Sequence, residues 1–317
     1  MATLTAKFDW EGQIGEVVLG ATPSDGGTRT VAYRIGGDGD LPFIGEEESG
    51  RTPLVAYEIC DDPALWSPIV ARTVGQPVHD PKRWAGMAEK EYGADLVRLY
   101  LTSTRRRGFA DFSGVTRSVE EVLGGTGLPV IIEGSDDPAI DSEVFQRCGE
   151  AGEGERLLLG TAEAGRYRSM AAAAMAYNHA VIAQSPIDIN LAKQLNILLR
   201  EIGVPGDHIM IDPYTGALGY GFEYSYSVME RIRFAALKGD QDLAMPMIST
   251  AIDSLNIKEV RDAPAVLQDE MAVMWEFYAG FSAAIAGAAI ICVRHPRTVP
   301  LLKEALRALA VDKPGGR

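Results

Sequence analysis

The sequence predicts an α/β fold, a (β/α)₈ barrel (TIM barrel) carrying an N-terminal β-hairpin extension, on three observations. Eight short runs rich in Val, Ile and Leu recur along the 317 residues, as parallel strands buried on both faces require. After each run comes a longer segment that can be helical. The first run leads into Cys60-Asp61-Asp62-Pro63 and not into the glycine-rich turn with which open dinucleotide-binding sheets often begin. Eight such units in one chain argue for closure of the sheet.

In order, the strand candidates are Leu54–Ile59, Leu96–Leu101, Pro129–Glu133, Leu157–Leu159, Ala180–Ala183, His208–Ile211, Ala244–Ile248 and Ala288–Cys292. The helical segments among them are Pro81–Tyr92, Ser118–Thr126, Ala139–Ala151, Ala164–Asn178, Ile187–Ile202, Tyr224–Leu237, Asp269–Ala286 and Arg297–Leu309. Turn chemistry marks the junctions. In Gly134-Ser135-Asp136-Asp137-Pro138 and Gln184-Ser185-Pro186-Ile187-Asp188, Ser and Asp can cap a helix and Pro fixes its first turn. Ahead of the barrel, the alternating runs Val17–Thr22 and Thr28–Ile35, joined by Pro23-Ser24-Asp25-Gly26-Gly27, read as a β-hairpin. We expect it to cover the bottom face. The expected organisation is a hairpin and connecting loop over residues 1–50, a barrel over 51–311 and a disordered tail over 312–317.

Lysine and arginine total 30 against 44 acidic residues, a formal charge of −14, so the surface repels a phosphate backbone and nucleic acid is not an expected partner. The basic cluster Arg105-Arg106-Arg107 falls in a loop, as a solvated turn or a phosphate or partner contact. No apolar run reaches the roughly eighteen residues of a membrane span. The start, Met1 to Trp10, lacks the features of a secretory signal, which predicts a cytoplasmic protein with no membrane partner. Cys60, Cys148 and Cys292 show no Cys-x-x-Cys spacing, so neither an iron–sulfur cluster nor a structural zinc is expected in this chain. They read as buried thiols, two of them at strand ends where a site can form.

Barrel chemistry is carried by the loops that follow the strands. Those ends offer Glu58, Asp61 and Asp62; Thr102 and Ser103; Glu133; Gln184, Ser185, Asp188 and Asn190; Asp212, Tyr214, Thr215, Tyr220 and Glu223; Ser249 and Thr250; and Arg294 with His295. The segment from Ile211 to Ser225 is the densest. Its Gly216, Gly219 and Gly221 permit close approach of a ligand, and Tyr214 and Tyr220 offer flat faces suited to a macrocycle or a pterin. Equally, those glycines can serve turn geometry while Asp212 orders the loop. The four histidines have no His-x-x-x-His spacing, there is no Gly-x-Ser-x-Gly elbow, and no metal site or catalytic side chain is expected. Of the histidines, His295 is the one expected to face the mouth. No lysine falls at a strand end, which argues against a Schiff-base aldolase.

Several long stretches resemble one family. They are Glu91-Tyr92-Gly93-Ala94-Asp95-Leu96, the run from Ser185 to Leu198, Ile211-Asp212-Pro213 with Gly219-Tyr220-Gly221, and Tyr224 to Arg233. In matching order, from the hairpin at Val17 to Arg294-His295-Pro296, these resemble the small (delta) subunit of the corrinoid iron–sulfur protein of CO dehydrogenase/acetyl-CoA synthase systems. The resemblance implies a barrel paired with a larger (gamma) subunit that owns the iron–sulfur cluster and the corrinoid-binding domain. This chain then forms one wall of a shared corrinoid (cobalamin) site in the reductive acetyl-CoA (Wood–Ljungdahl) pathway. Further implied partners are a methyltetrahydrofolate (or methyl-pterin):corrinoid methyltransferase and acetyl-CoA synthase. Candidate cofactor contacts are Ser185, Asp188, Asn190, Asp212, Tyr214, Thr215, Gly216, Gly219, Tyr220, Gly221, Thr250 and His295. The sequence departs from the family pattern at Ser249–Glu259, which lacks a tryptophan-containing run, and in the loops Gly36–Arg51 and Thr102–Ser113.

A scaffold subunit of this kind shelters a reactive cobalt without making or breaking bonds through its own side chains. The alternative is a pterin-dependent corrinoid methyltransferase barrel in which Asp212 and Asn190 hydrogen-bond the pterin. Binding of methyltetrahydrofolate by the isolated chain separates the two.

Overall fold

A computed structural model of the chain describes residues 10–43, 52–135 and 137–311. Of the expected N-terminal region over 1–50, residues 1–9 and 44–50 lie outside the described residues, as do Arg51, Asp136 and the tail over 312–317.

Eight parallel strands close a barrel in sequence order: β3 (Leu54–Cys60), β4 (Leu96–Tyr100), β5 (Val130–Glu133), β6 (Leu158–Ala162), β7 (Ala180–Gln184), β8 (Ile209–Asp212), β9 (Met247–Thr250) and β10 (Ala288–Val293), with β10 pairing back onto β3. Around them run α1 (Pro68–Val74), α2 (Pro81–Lys90), α3 (Phe112–Leu123), α4 (Pro138–Ala151), α5 (Tyr167–Ala176), α6 (Ile189–Glu201), α7 (Phe222–Leu237), the short α8 (Lys258–Arg261), α9 (Ala265–Ile285) and α10 (Thr298–Val311). The (β/α)₈ expectation holds. Strand and helix bounds shift for local reasons. β9 starts at Met247 because Pro246 has no N–H to give the ladder. α3 begins six residues earlier than expected because Asp111 accepts from Gly114 N at 2.9 Å and caps it.

Aspartates do the same for other helices: Asp80 caps α2, Asp137 caps α4 and Asp188 caps α6. Each such cap contributes roughly 0.5–2 kcal/mol. Strand side chains facing the helices, such as Tyr57, Leu99 and Ile132, are fully buried. Tyr57 meets Trp84 of α2 edge-on, and together they anchor the first β/α unit.

The N-terminal hairpin is present as β1 (Glu16–Leu19) paired antiparallel with β2 (Tyr33–Gly36). Its second arm is shorter than the alternating pattern suggests, because residues 28–30 leave the ladder to bond the barrel. Arg29 is buried, with Nε on Glu155 at 2.8 Å and Nη1 and Nη2 on the carbonyls of Thr126 and Leu123 at 2.8 and 2.9 Å. Gly20 N, Thr30 N and Gly15 N donate to the carbonyls of Arg156, Gly127 and Ala244, each just before a barrel strand. These bonds place the hairpin at the N-terminal end of the barrel. Gly36, at φ +95°, permits the closure: a Cβ there would lie 2.0 Å from the Gly15 oxygen.

Candidate functional site

The mouth at the C-terminal strand ends is built on a floor of buried charge. Glu58 of β3 and Arg98 of β4 are register partners, and both point into the barrel. Arg98 donates Nη1 to Glu58 and Nη2 to Glu133 at the end of β5. Arg294, just past β10, donates Nε to the other Glu58 oxygen at 2.9 Å and lies 3.9 Å from the centre of the Trp66 ring. Two arginines and two glutamates thus cancel in charge. Burial opposes both cations. Glu133 restores Arg98, whose pKa is raised, whereas Arg294, facing the like charge of Arg98, is held down at about 10.

Above this floor sits Asp212, the last residue of β8. Its Oδ2 accepts from Gln184 Nε2 at 2.8 Å and its Oδ1 from Tyr214 N at 2.9 Å. Burial outweighs those bonds and pushes its pKa up to about 6. Thr215 and Ser249 share a hydroxyl bond of 2.8 Å, and Thr250 N donates to Thr215 Oγ1. Ser185 is buried; its N–H donates to the Asp212 carbonyl, and its Oγ has no hydrogen-bond partner among the described residues. The structure therefore brings together Ser185, Asp212, Tyr214, Thr215 and Thr250.

Gly216, Gly219, Tyr220 and Gly221 form the rest of the β8–α7 loop. Gly219 and Gly221 have left-handed φ of +75° and +105°, and Gly216 N donates to Ser225 Oγ at 2.9 Å. A Cβ on Gly216 would press on the Gly221 backbone at 3.1 Å. These glycines meet the needs of the loop's own turns. Tyr214 and Tyr220 stand exposed on the rim, with the Tyr220 hydroxyl on Glu259 at 3.0 Å.

Three expected contacts sit differently. Asp188 spends Oδ1 on the N–H groups of Asn190 and Leu191 as the cap of α6, and Asn190 lies exposed on its first turn. His295 does not open onto the mouth. It is fully buried, with Nε2 against Asp269 Oδ1 at 2.9 Å and Nδ1 accepting from Arg297 N at 3.2 Å, so it clamps the β10–α10 turn to α9. Glu276 of α9 completes that clamp by accepting from the N–H groups of Arg294 and His295; burial pushes it up to about 7.

Arg98 was not among the expected site residues. Its signal was a lone cation inside the apolar run Leu96–Tyr100. Asp61, Ser103 and Thr102 also join the rim: Asp61 accepts from Ser103 N and from Thr102 Oγ1, both at 3.0 Å. Beside them Arg105 stacks on Tyr100 and Arg106 pairs with Asp62, so the chain itself engages two of the three clustered arginines. The three thiols are buried and burial raises each pKa, that of Cys292 to about 12.

The class defined by this fold and mouth is a parallel (β/α)₈ barrel that presents hydroxyls, amides and tyrosines over an internally neutralised floor. Residues 16–283 match the family model of the CO dehydrogenase/acetyl-CoA synthase delta subunit, and the chain belongs to that family. It is 34% identical to the acetyl-CoA decarbonylase/synthase complex subunit delta of Archaeoglobus fulgidus, over 98% of this chain and 71% of that protein. To the subunit of the same name from Methanothermobacter thermautotrophicus it is 36% identical, over 93% and 75% of the two chains. Among solved structures, dihydropteroate synthase of Coxiella burnetii with pteroic acid superposes with a TM-score of 0.58 at 17% identity, covering 84% of this chain and 98% of that one. The enzyme from Thermus thermophilus gives 0.55 at 18% identity, over 94% and 100%. At such identity the likeness concerns the barrel alone.

Proposed function

We propose that this chain is the small subunit of a corrinoid methyl carrier, forming one wall of a corrinoid site shared with a larger subunit and docking the proteins that give and take the methyl group. The observation that carries the reading is the mouth itself, whose floor charges are spent on one another. Glu58, Arg98, Glu133 and Arg294 are mutually paired, and Asp212 is occupied on both oxygens by Gln184 and Tyr214. Groups held in this way orient a polar surface around a bound cofactor.

The residues present fit the edge of a large amphipathic macrocycle. Tyr214 and Tyr220 offer exposed rings, and the buried Ser185 hydroxyl lacks a partner within the described chain. Tyr214, Thr215, Gly219, Tyr220 and Thr250 would face the corrinoid, with Ser185 beneath them. When bound, the cobalt of that group carries the methyl. The pterin-enzyme reading is not favoured, because each Asp212 oxygen already accepts a hydrogen bond from within the chain, which leaves fewer lone pairs for a pterin's N–H groups.

In this assembly the larger subunit brings the iron–sulfur cluster and the mobile corrinoid domain. A methyltransferase and acetyl-CoA synthase then dock in turn at the same mouth. Titration of the isolated chain with methyltetrahydrofolate tests the claim: the proposal requires no saturable binding, and tight stoichiometric binding would sink it in favour of the methyltransferase.

A further inference from the structure

The segment that follows β9 carries a carboxylate that the chain leaves unspent. Residues Ala251–Leu255 form one 3₁₀ turn, in which Ala251, Ile252, Ser254 and Leu255 are buried and the turn packs on α9. Of the five, Asp253 is turned out. Around the mouth, Asp61 is bonded to Ser103 and Thr102, Asp62 to Arg106, Glu133 to Arg98, and Asp212 to Gln184 and Tyr214. Among the described residues nothing donates to the Asp253 carboxylate.

That carboxylate belongs to the mouth and not to the outer wall. Burial raises its pKa, and the charges that pull it back are those of the floor, Arg294 first and Arg98 second. The Asp253 charge is in turn the largest influence raising the Tyr214 hydroxyl, so the two groups share one space. Tyr214 holds φ at +62°, a left-handed conformation that a bulky side chain seldom adopts unless its surroundings impose it. Here Tyr214 N is fixed on Asp212 Oδ1, and Thr250 N, at the start of the Asp253 turn, donates to Thr215 Oγ1 at 3.3 Å. These bonds tie the two loops together and set a phenol and a carboxylate over the same floor, with no hydrogen bond between them.

A hydroxyl donor beside a carboxylate acceptor is the complement of a primary carboxamide, whose C=O accepts from the first and whose N–H donates to the second. The side chains on the edge of a corrin ring carry such amides. Resting on the reading of this mouth as a corrinoid wall, we infer that Asp253 and Tyr214 grip one edge amide of the corrinoid, and that Asp253 is a specificity residue which rejects a corrinoid bearing a carboxylate there. A ligand carboxylate would meet like charge with no spare cation beneath it, because Arg98 and Arg294 are committed to Glu58 and Glu133.

The test uses the complex of this chain with the larger subunit, freed of corrinoid and titrated with a series in which one edge amide at a time has been hydrolysed to a carboxylate. Binding is followed by visible absorbance. The parent complex should hold one member of the series at least about tenfold more weakly than the intact corrinoid. Asp253→Asn should remove that discrimination, since an amide at this position donates to the ligand carboxylate. Tyr214→Phe should weaken the intact corrinoid roughly three- to tenfold, the loss of one hydrogen bond. Both side chains are exposed, so the melting temperature should stay at the parent value. An Asp253→Asn complex that discriminates as the parent does, a parent that holds every member alike, or a Tyr214→Phe complex that binds as tightly as the parent overturns the inference and leaves the wall reading standing. A parent complex that binds no corrinoid overturns both.

Discussion

At the scale of single residues, the mouth is governed by how buried charge is compensated. Arg98 serves two carboxylates, so Arg98→Met strands Glu133 and leaves Glu58 to Arg294 alone. Removing one member of a buried pair costs roughly 3–5 kcal/mol, and urea unfolding should show a loss of that order; a loss below about 1 kcal/mol would contradict the network. Asp212 makes a prediction in pH. Its folded pKa of about 6 stands above the ordinary 3.8, so the folded chain holds that proton more tightly than the unfolded one. The resulting stability is complete below about pH 3.8 and is lost as pH rises through about 6. Two units correspond to roughly 3 kcal/mol. Relative to Asp212→Asn, the parent protein should therefore lose stability over that window and change little above it, as read from unfolding at a series of pH values. A parent protein that gains stability across the same window would refute the burial argument.

The pairing of Arg98 could not be read from the sequence. A single cation in Leu96–Tyr100 is visible there, but its partner across the ladder depends on the register that sets Glu58 beside Arg98, and register is a property of the closed sheet. His295 shows the converse. Its place after the eighth strand was legible, yet the rotation of the turn, fixed by Glu276 from α9, decides that it is buried.

At the scale of elements, the β/α alternation was legible because parallel strands and their capping aspartates write both periods directly into the chain. The hairpin was legible only in part. Its alternating second arm gives way at Arg29, whose hydrogen bonds to the strand-entry loops win over strand pairing. Arg29→Ala should thus cost about 3–5 kcal/mol, leaving Glu155 buried without its cation. Pairing it with Glu155→Leu should recover part of the loss in a double-mutant cycle; simple additivity would show that the two do not act together.

At the scale of the whole molecule, the barrel sets its two ends to different tasks. The hairpin is bonded into the N-terminal end, while the C-terminal mouth gathers hydroxyls, an amide and tyrosines over a neutral ionic floor. Among the described residues of that mouth, Arg98 and Arg294 are paired with Glu58 and Glu133, and Asp212 is tied to Gln184 and Tyr214. The chain belongs to the delta-subunit family. The most direct measurement is co-expression with the larger subunit, followed by size-exclusion chromatography monitored at the visible absorbance of corrinoid and cluster. The account predicts a coloured complex containing the two subunits in equal number, with corrinoid retention weakened in a Tyr214→Ala, Tyr220→Ala double variant that still assembles. A small subunit that elutes apart from its larger partner, or a complex whose corrinoid is held equally well without those tyrosines, would contradict it.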